Sequence, residues 1–185
     1  MPPMLKNLNR DKIAKCLMLL SAFLFGLLIP GRFSVTTTPS LVHRIYLISR
    51  ISDAREIRKD SYVLFTMRNT YMSNGQAIDV MGKVPPHQNH KGGHMAAATP
   101  VMKIARCLPG EQLKVSGRMY YCNGHYLGRA KEYSLRGEKV DNFVFDDGVP
   151  PGKIFVMGEH KDSLDSRYFG FIEATDVIAI GHPVY

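Results

Sequence analysis

Short runs of β-branched and aromatic residues recur from residue 45 onward, and this pattern limits the fold more than any other feature of the chain. Gly, Pro, Asn and Asp separate the runs, as is typical of short strands joined by turns. Between two runs lies Asn123-Gly124, a strong β-hairpin signal because both turn positions favour positive φ. The sequence contains no internal repeat and no second apolar core, so we predict one mostly-β domain. The predicted strands are 45–48, 62–66, 78–83, 101–107, 112–116, 119–122, 126–130, 143–145, 153–157, 167–172 and 177–181.

An uninterrupted apolar run, residues 16–29, follows a basic N-terminal segment. A bilayer span needs about 20 residues, and counting from Ile13 with Lys15 reaching toward the headgroups brings the run close to that length. A cleavable signal peptide is the alternative, but residues 29–32 make a poor cleavage site. Positive charge before the run orients the N-terminus toward the cytoplasm. The predicted segments are a basic cytoplasmic N-terminus at 1–12, a transmembrane anchor at 13–31 and an exported domain at 32–185.

The chain carries a formal net charge of +8. A basic excess fits a nucleic-acid partner, an anionic membrane surface or solubility alone. The sequence contains no zinc finger, phosphate loop or interleaved aromatic-basic motif, and part of the charge directly precedes the apolar run. We therefore predict a membrane partner and no nucleic acid.

Three cysteines and a group of histidines are the candidates for disulfide or metal chemistry. Cys16 lies in the apolar run, whereas Cys107 and Cys122 lie in the exported part, where a disulfide is chemically allowed. The sequence leaves their pairing open, and the cysteine spacing fits no metal pattern. The histidines stand in a Gly- and Pro-containing stretch without acidic or Cys ligands, so we favour a solvated loop and expect no metal or cofactor. These histidines are His87, His90 and His94.

Residues 158–170 read Gly-Glu-His-Lys-Asp-Ser-Leu-Asp-Ser-Arg-Tyr-Phe-Gly. This segment resembles the last signature box of the type I signal peptidases, Gly-Asp-Asn-x-x-x-Ser-x-Asp-Ser-Arg-Tyr-Trp-Gly. The resemblance implies a serine/lysine peptidase with the β domain of the LexA/signal peptidase fold and one N-terminal transmembrane helix. It also implies that Ser163 orients a lysine amine and that Asp165 and Arg167 form an ion pair supporting the site. Glu159 stands where the family has Asp.

Residues 101–111 read Val-Met-Lys-Ile-Ala-Arg-Cys-Leu-Pro-Gly-Glu and resemble the lysine box of the same family, which places Lys103 at the general-base position. A free ammonium titrates near pH 10.4 and cannot accept a proton at neutral pH. Burial among apolar neighbours disfavours the charged form and lowers the pKa, a change that Lys can make and Arg cannot. Without the other boxes, the alternative is an ordinary strand whose lysine faces water.

Residues 33–46 resemble the nucleophile segment of the TraF-type conjugative-transfer peptidases, Asn-x-Thr-x-Ser-x-Pro-x-Gly-x-Tyr. The resemblance places Ser40 at the nucleophile and Tyr46 at the final Tyr. It also implies an oxyanion hole made by the Thr38 hydroxyl and the Ser40 backbone N–H. Ser34 is the alternative nucleophile, and we interpret it as a linker hydroxyl. The departures from the pattern are Val42 for Pro, Arg44 for Gly and the lack of the usual Asn.

The boxes follow the family's order and imply a membrane-anchored endopeptidase with Ser40 as nucleophile and Lys103 as base. TraF-type peptidases mature the conjugative pilin of type IV secretion systems by trimming its C-terminus and joining its ends. The expected partners are therefore a pilin precursor, or another membrane-inserted preprotein, and the lipid bilayer. The expected location is the bacterial inner membrane, single-pass, with the catalytic domain in the periplasm. The alternatives are a general type I signal peptidase that removes leader peptides and an inactive relative that acts as an assembly factor.

Overall fold

The computed structural model describes residues 10–28, 32–37, 39–68, 70–74, 76–79 and 100–184. The chain divides into two units, Met1–Phe33 and Ser34–Tyr185, each described by itself. The first unit contains helix α1 (Arg10–Leu28), which includes residues 16–28 of the apolar run and has four charged residues among its first six. No helix in the described part of the chain is both long and apolar enough to cross a membrane. Residues 29–31 of the anchor predicted at 13–31 lie outside the described residues, and the anchor stays a prediction.

Short strands are the main secondary structure of the second unit, and the described ladders are antiparallel. The strands are β1 (Phe33–Val35), β2 (Ile45–Arg50), β3 (Tyr62–Thr66), β4 (Thr70–Ser73), β5 (Gln76–Asp79), β6 (Pro100–Cys107), β7 (Gln112–Ser116), β8 (Met119–Cys122), β9 (His125–Arg129), β10 (Asp146–Gly148), β11 (Lys153–Met157), β12 (Ile172–Glu173) and β13 (Val177–Val184). The helical turns are α2 (Ser166–Phe169) and two 3₁₀ turns, Ala54–Glu56 and Ala174–Asp176. The mostly-β prediction is confirmed.

Strand β6 occupies an interior position in the larger sheet, whose order is β1-β2-β13-β3-β6-β11-β12. Both of its faces are covered, because Ala105 belongs to one apolar cluster while Met102 and Ile104 belong to another. Successive side chains of a strand point to opposite faces, so a strand covered on both faces places every side chain of its middle in a dry environment. The lysine strand is therefore a buried one.

The smaller sheet, in the order β10-β7-β8-β9, contains the predicted hairpin. Asn123 and Gly124 connect β8 to β9 with φ of 50° and 78°, so the Asn-Gly prediction is confirmed. Cys107 of β6 and Cys122 of β8 form a disulfide with Cα atoms 5.8 Å apart. The pairing that the sequence left open is present, and it joins the two sheets covalently. Cys16 is free and exposed.

Four predicted strands have the observed bounds, namely 62–66, 112–116, 119–122 and 153–157. The strand predicted at 143–145 is wrong, because the backbone N–H groups of its first two residues bond to helix α2 and to a turn side chain and not to a neighbouring strand. Phe143 N–H donates to the carbonyl of Arg167, and Val144 N–H donates to Oδ1 of Asn74. The Phe143 side chain is nevertheless buried, which explains why an apolar run there imitates a strand. The pattern also fails to predict β1, β4 and β10, and residues 80–83 of the predicted strand 78–83 lie outside the described residues.

The strand predicted at 167–172 is wrong over most of its length, because the chain forms the single turn α2 there. The Asp165 carboxylate accepts the backbone N–H of Arg167 and so caps the start of α2. Gly170, with φ of 81°, ends the turn in a conformation that residues with a Cβ rarely adopt. One helical turn is too short for its 3.6-residue period to be distinguished from a strand.

Candidate active site

Lys103 lies in the middle of β6 with only 3% of its surface exposed. Val63 of β3 pairs with it on one side. On the other side β11 pairs with β6 as far as Met157, which lies opposite Ile104. The Lys103 Nζ donates a hydrogen bond to Oγ of Ser163, itself buried, at 2.8 Å. The resemblance implied that Ser163 contacts the lysine amine, and the structure brings the two side chains together.

Burial lowers the pKa of Lys103 to about 8. The nearby Asp165 carboxylate raises this pKa by favouring the charged amine, and the Arg167 guanidinium lowers it further. A pKa of 8 leaves about one amine in ten neutral at pH 7, whereas an exposed lysine is neutral in fewer than about one molecule in a thousand. The site therefore contains a base that is able to accept a proton near neutral pH.

Gly158 leaves room for the side chain of Ser163 and for the backbone of Ser40. A Cβ on Gly158 would lie 2.2 Å from Ser163 Oγ and 2.8 Å from the carbonyl oxygen of Ser40. Real Cβ atoms do not approach other heavy atoms so closely. The absent side chain thus allows Ser163 and the Ser40 backbone to pack against the same point.

Asp165 and Arg167 form a buried ion pair behind the lysine. Arg167 donates from Nη2 to Oδ2 of Asp165 at 2.7 Å and from Nε to Oδ1 at 2.8 Å, the two-pronged geometry that makes such pairs strong. The Asp165 Oδ2 also accepts the N–H of Gly158 at 2.9 Å, and Arg167 Nη2 lies 3.4 Å from the carbonyl of Ser163. The pair thus holds Gly158 and Ser163, and the Ser163 hydroxyl accepts the hydrogen bond of the Lys103 amine.

Ser40 lies in a turn that is attached to the site at three points. Its carbonyl accepts hydrogen bonds from the backbone N–H groups of Glu159, at 2.9 Å, and His160, at 3.2 Å. The side chain of Leu41 is buried in the apolar cluster on one face of β6. The N–H of Val42 donates to Oε2 of Glu159 at 2.7 Å. A serine 63 positions from the lysine in sequence is thereby held against the Gly158–His160 segment.

The other predicted residues of this segment are placed as follows. Thr38, the predicted side-chain donor of the oxyanion hole, lies outside the described residues. Ser34, the alternative nucleophile, is half-buried in β1. Tyr46 is fully buried, and its hydroxyl donates to the carbonyl of His43 at 2.9 Å, which fixes the chain where β2 begins. The histidines His87, His90 and His94 also lie outside the described residues.

Sequence reasoning missed the roles of Gly158 and Glu159. Both residues were included in the C-terminal box, but only as matches or departures of a pattern. The available signal was that Gly158 directly follows β11, where a residue lacking Cβ marks a close approach of another chain segment. No local signal links Glu159 to Val42, because the two residues are 117 positions apart.

Three comparisons with known proteins bear on this arrangement. Residues 14–185 match the family described as signal peptidase, peptidase S26. The chain is 33% identical over 82 residues to signal peptidase I of Bacillus caldolyticus, covering 38% of this chain and 45% of that protein. It is 30% identical over 87 residues to the conjugal transfer protein TraF of Agrobacterium fabrum strain C58, covering 46% of this chain and 49% of that protein. The chain thus spans about half the length of the curated relatives it matches.

Among solved structures, a signal peptidase I from Enterococcus faecalis V583 aligns with 71% of this chain and 98% of its own, at 22% identity and a TM-score of 0.36. The family match is independent of that alignment, because it covers nearly the whole sequence from the apolar run to the last residue. It includes the lysine strand, the C-terminal box and the turn that contains Ser40. The chain therefore belongs to the signal peptidase family, peptidase S26.

Proposed function

We propose that this chain is an endopeptidase with Ser40 as nucleophile and Lys103 as general base. The observation that carries the proposal is the buried amine of Lys103, hydrogen-bonded to Ser163, with the turn of Ser40 attached beside it. The neutral amine takes the proton of Ser40 Oγ as that oxygen attacks a peptide carbonyl carbon. The resulting ammonium returns the proton to the leaving nitrogen, the C–N bond breaks, and an ester on Ser40 remains.

The proposed oxyanion hole consists of the backbone N–H of Ser40 and the hydroxyl of Thr38. Such donors act on charge that develops only in the tetrahedral intermediate, and one of them typically contributes about 3 kcal/mol to lowering the barrier. Asp165 and Arg167 do not touch the substrate in this scheme. Their role is to hold Gly158 and Ser163 in place around the lysine.

The proposed substrate is a conjugative pilin precursor, and the similarity to the conjugal transfer protein TraF supports it. The ester on Ser40 would be attacked by the substrate's own N-terminal amine, which closes a peptide ring and releases the serine. A tethered amine competes well with water because its effective concentration is very high. Cleavage with cyclisation then needs no second active site.

Removal of leader peptides from exported proteins is a second candidate function. The similarity to signal peptidase I of Bacillus caldolyticus favours it, at an identity close to that of TraF. In this case water attacks the ester on Ser40, with Lys103 again accepting the proton. The two candidates share the acyl-enzyme and differ only in the nucleophile that resolves it.

The proposal includes a location at the bacterial inner membrane, with residues 32–185 in the periplasm. Helix α1 supports a membrane partner because it exposes apolar side chains, including Leu17, Met18 and Phe23, and has basic residues in its first turns. Carbonate extraction of membranes from cells expressing the full chain tests this part. Release of the protein into the soluble fraction would contradict it.

The test of function is the intact mass of a candidate pilin precursor co-expressed with the wild-type chain, Ser40→Ala and Lys103→Arg. A cyclic product is lighter than the linear trimmed form by one water and is expected with the wild type alone. A linear product that depends on both residues, together with cleavage of a leader-peptide reporter, would support the second candidate. Equal processing by all three chains would show that the active site is elsewhere.

A further inference from the structure

One residue of the C-terminal box, Glu159, contacts the turn that contains Ser40 at two points. The backbone N–H of Glu159 donates to the carbonyl of Ser40 at 2.9 Å. Its side chain reaches past the serine, and Oε2 accepts the N–H of Val42 at 2.7 Å. The other carboxylate oxygen, Oε1, lies 3.5 Å from the hydroxyl of Tyr62. Glu159 thus connects two points of the turn to the segment that also contains Gly158.

The side-chain contact is the stronger of the two because its acceptor is charged. Hydrogen bonds from a backbone N–H to a carboxylate are short and roughly twice as strong as bonds between neutral groups. The Val42 side chain is 74% exposed, so apolar packing of that residue contributes little to holding the turn. The carboxylate of Glu159 is therefore a main restraint on the position of the chain just after Ser40.

The length of the glutamate side chain matters for this contact. Aspartate, which the signal peptidase box has at this position, is shorter by one carbon–carbon bond, or roughly 1.5 Å. A carboxylate that far from the N–H of Val42 would no longer form a direct hydrogen bond. The side chain of Glu159 is thus long enough to reach the N–H of Val42, whereas that of an aspartate is too short.

We propose that Glu159 is a positioning residue for the nucleophile: its carboxylate fixes the turn so that Ser40 stays beside the Lys103–Ser163 pair. The inference rests on the proposed function, since it assigns Ser40 as nucleophile. Glu159 makes no contact with reacting atoms in this scheme. Its effect is on geometry, and misplacement of a reacting group by about 1 Å is able to cost about a hundredfold in rate.

The experiment compares the full-length chain with Glu159→Ala, Glu159→Gln and Glu159→Asp, using a synthetic precursor peptide that wild type cleaves. Glu159→Ala is expected to lower kcat by about thirtyfold or more while KM changes less than about threefold. Glu159→Gln keeps an acceptor oxygen at the same reach and is expected to retain most activity, whereas Glu159→Asp is expected to behave like Ala. The matched control is Glu132→Ala, which removes an exposed glutamate paired with Arg129.

Hydrogen exchange at the amide of Val42 gives a readout that does not depend on activity. The amide is expected to exchange faster in Glu159→Ala and Glu159→Asp and to stay protected in Glu159→Gln. The pH midpoint of kcat/KM is expected to stay near that of wild type in all variants, because the surroundings of Lys103 are unchanged. Wild-type kcat in Glu159→Ala, or unchanged exchange at Val42, would overturn the inference.

Two further outcomes separate this inference from the proposed function. If Glu159→Gln loses as much activity as Glu159→Ala and raises KM, the carboxylate charge acts on the substrate and the positioning role is wrong. If Ser40→Ala cleaves the peptide as fast as wild type does, the proposed function is wrong whatever the Glu159 variants do. The inference is then overturned with it.

Discussion

Lys103 is a residue whose chemistry comes from its surroundings. A lysine in a run of apolar residues is unremarkable when its side chain faces water, but here it is buried and its amine contacts Ser163. Desolvation lowers its pKa more than the Asp165 carboxylate raises it. The balance produces a base that is partly neutral near physiological pH, which is what the proposed mechanism requires.

The first prediction concerns pH. In the proposed mechanism Lys103 must be neutral to accept the proton of Ser40. The value of kcat/KM is therefore expected to rise with pH and to level off above a midpoint near 8, following the lowered pKa. Steady-state cleavage of a precursor peptide between pH 6 and 10 measures this profile. Lys103→Met is the control and is expected to be inactive at every pH. A profile that is flat across this range would contradict the assignment of the base.

The second prediction concerns Gly158. Alanine at this position would place a Cβ 2.2 Å from Ser163 Oγ, so Ser163 or the backbone of Ser40 must move. We expect Gly158→Ala to lower kcat by about a hundredfold. Gly148→Ala is the matched control, because a Cβ there meets no atom within 4 Å, and it is expected to leave kcat unchanged. Wild-type kcat in Gly158→Ala would show that the close packing at this point is dispensable.

At the scale of elements, the candidate site lies where one strand, one turn and the C-terminal box (residues 158–170) come together. Strand β6 supplies Lys103, the turn after β1 supplies Ser40, and the segment between β11 and α2 joins them through Gly158 and Ser163. The cap of α2 is also the ion-pair partner of Arg167, since Asp165 performs both tasks. A shift of α2 is therefore expected to move Ser163, which Arg167 contacts and which accepts the hydrogen bond of Lys103.

The third prediction concerns this ion pair. Arg167→Met leaves the fully buried Asp165 carboxylate without its guanidinium partner. Breaking a buried pair on one side typically costs about 3–5 kcal/mol, and we expect a loss of that size in the free energy of unfolding. Urea denaturation of the full chain measures it. Arg55→Met removes an exposed pair with Asp53 and is the control, with a small effect expected. Equal midpoints for the two variants would contradict the structural role of Arg167.

At the scale of the second unit, the two sheets are joined by side-chain packing and by one covalent bond. Phe155 of the larger sheet stacks on Tyr120 of the smaller one, with ring centroids 5.4 Å apart, inside a single apolar cluster. The Cys107–Cys122 disulfide lies in the same cluster. Because Cys107 is on the strand of Lys103, the disulfide ties that strand to the neighbouring sheet.

The fourth prediction concerns this disulfide. Its cysteines are separated by 15 positions, a loop for which a disulfide typically stabilises the folded state by about 3 kcal/mol. Cys107→Ala combined with Cys122→Ala is expected to lower the free energy of unfolding by about that amount, as measured by denaturant titration. Reductant is expected to shift the wild-type midpoint and to leave that of the double variant in place. Cys16→Ala is the control, and a loss of equal size there would contradict the interpretation.

The sequence by itself determined the mostly-β class, the Asn123-Gly124 hairpin and the order of the boxes that contain Ser40, Lys103 and Ser163. These features are local, because side-chain period, turn chemistry and motif spacing are properties of short segments. It predicted strands wrongly at 143–145 and 167–172, where buried loops and a single helical turn have the same apolar spacing.

Only the tertiary structure decided which distant segments meet. The burial of Lys103 depends on clusters that cover both faces of β6, and the pairing of Cys107 with Cys122 depends on how the two sheets lie together. The contact of Glu159 with Val42 joins residues 117 positions apart. A sequence pattern reports which face of a segment is apolar, but the partner that covers this face is chosen by the packing of the whole domain.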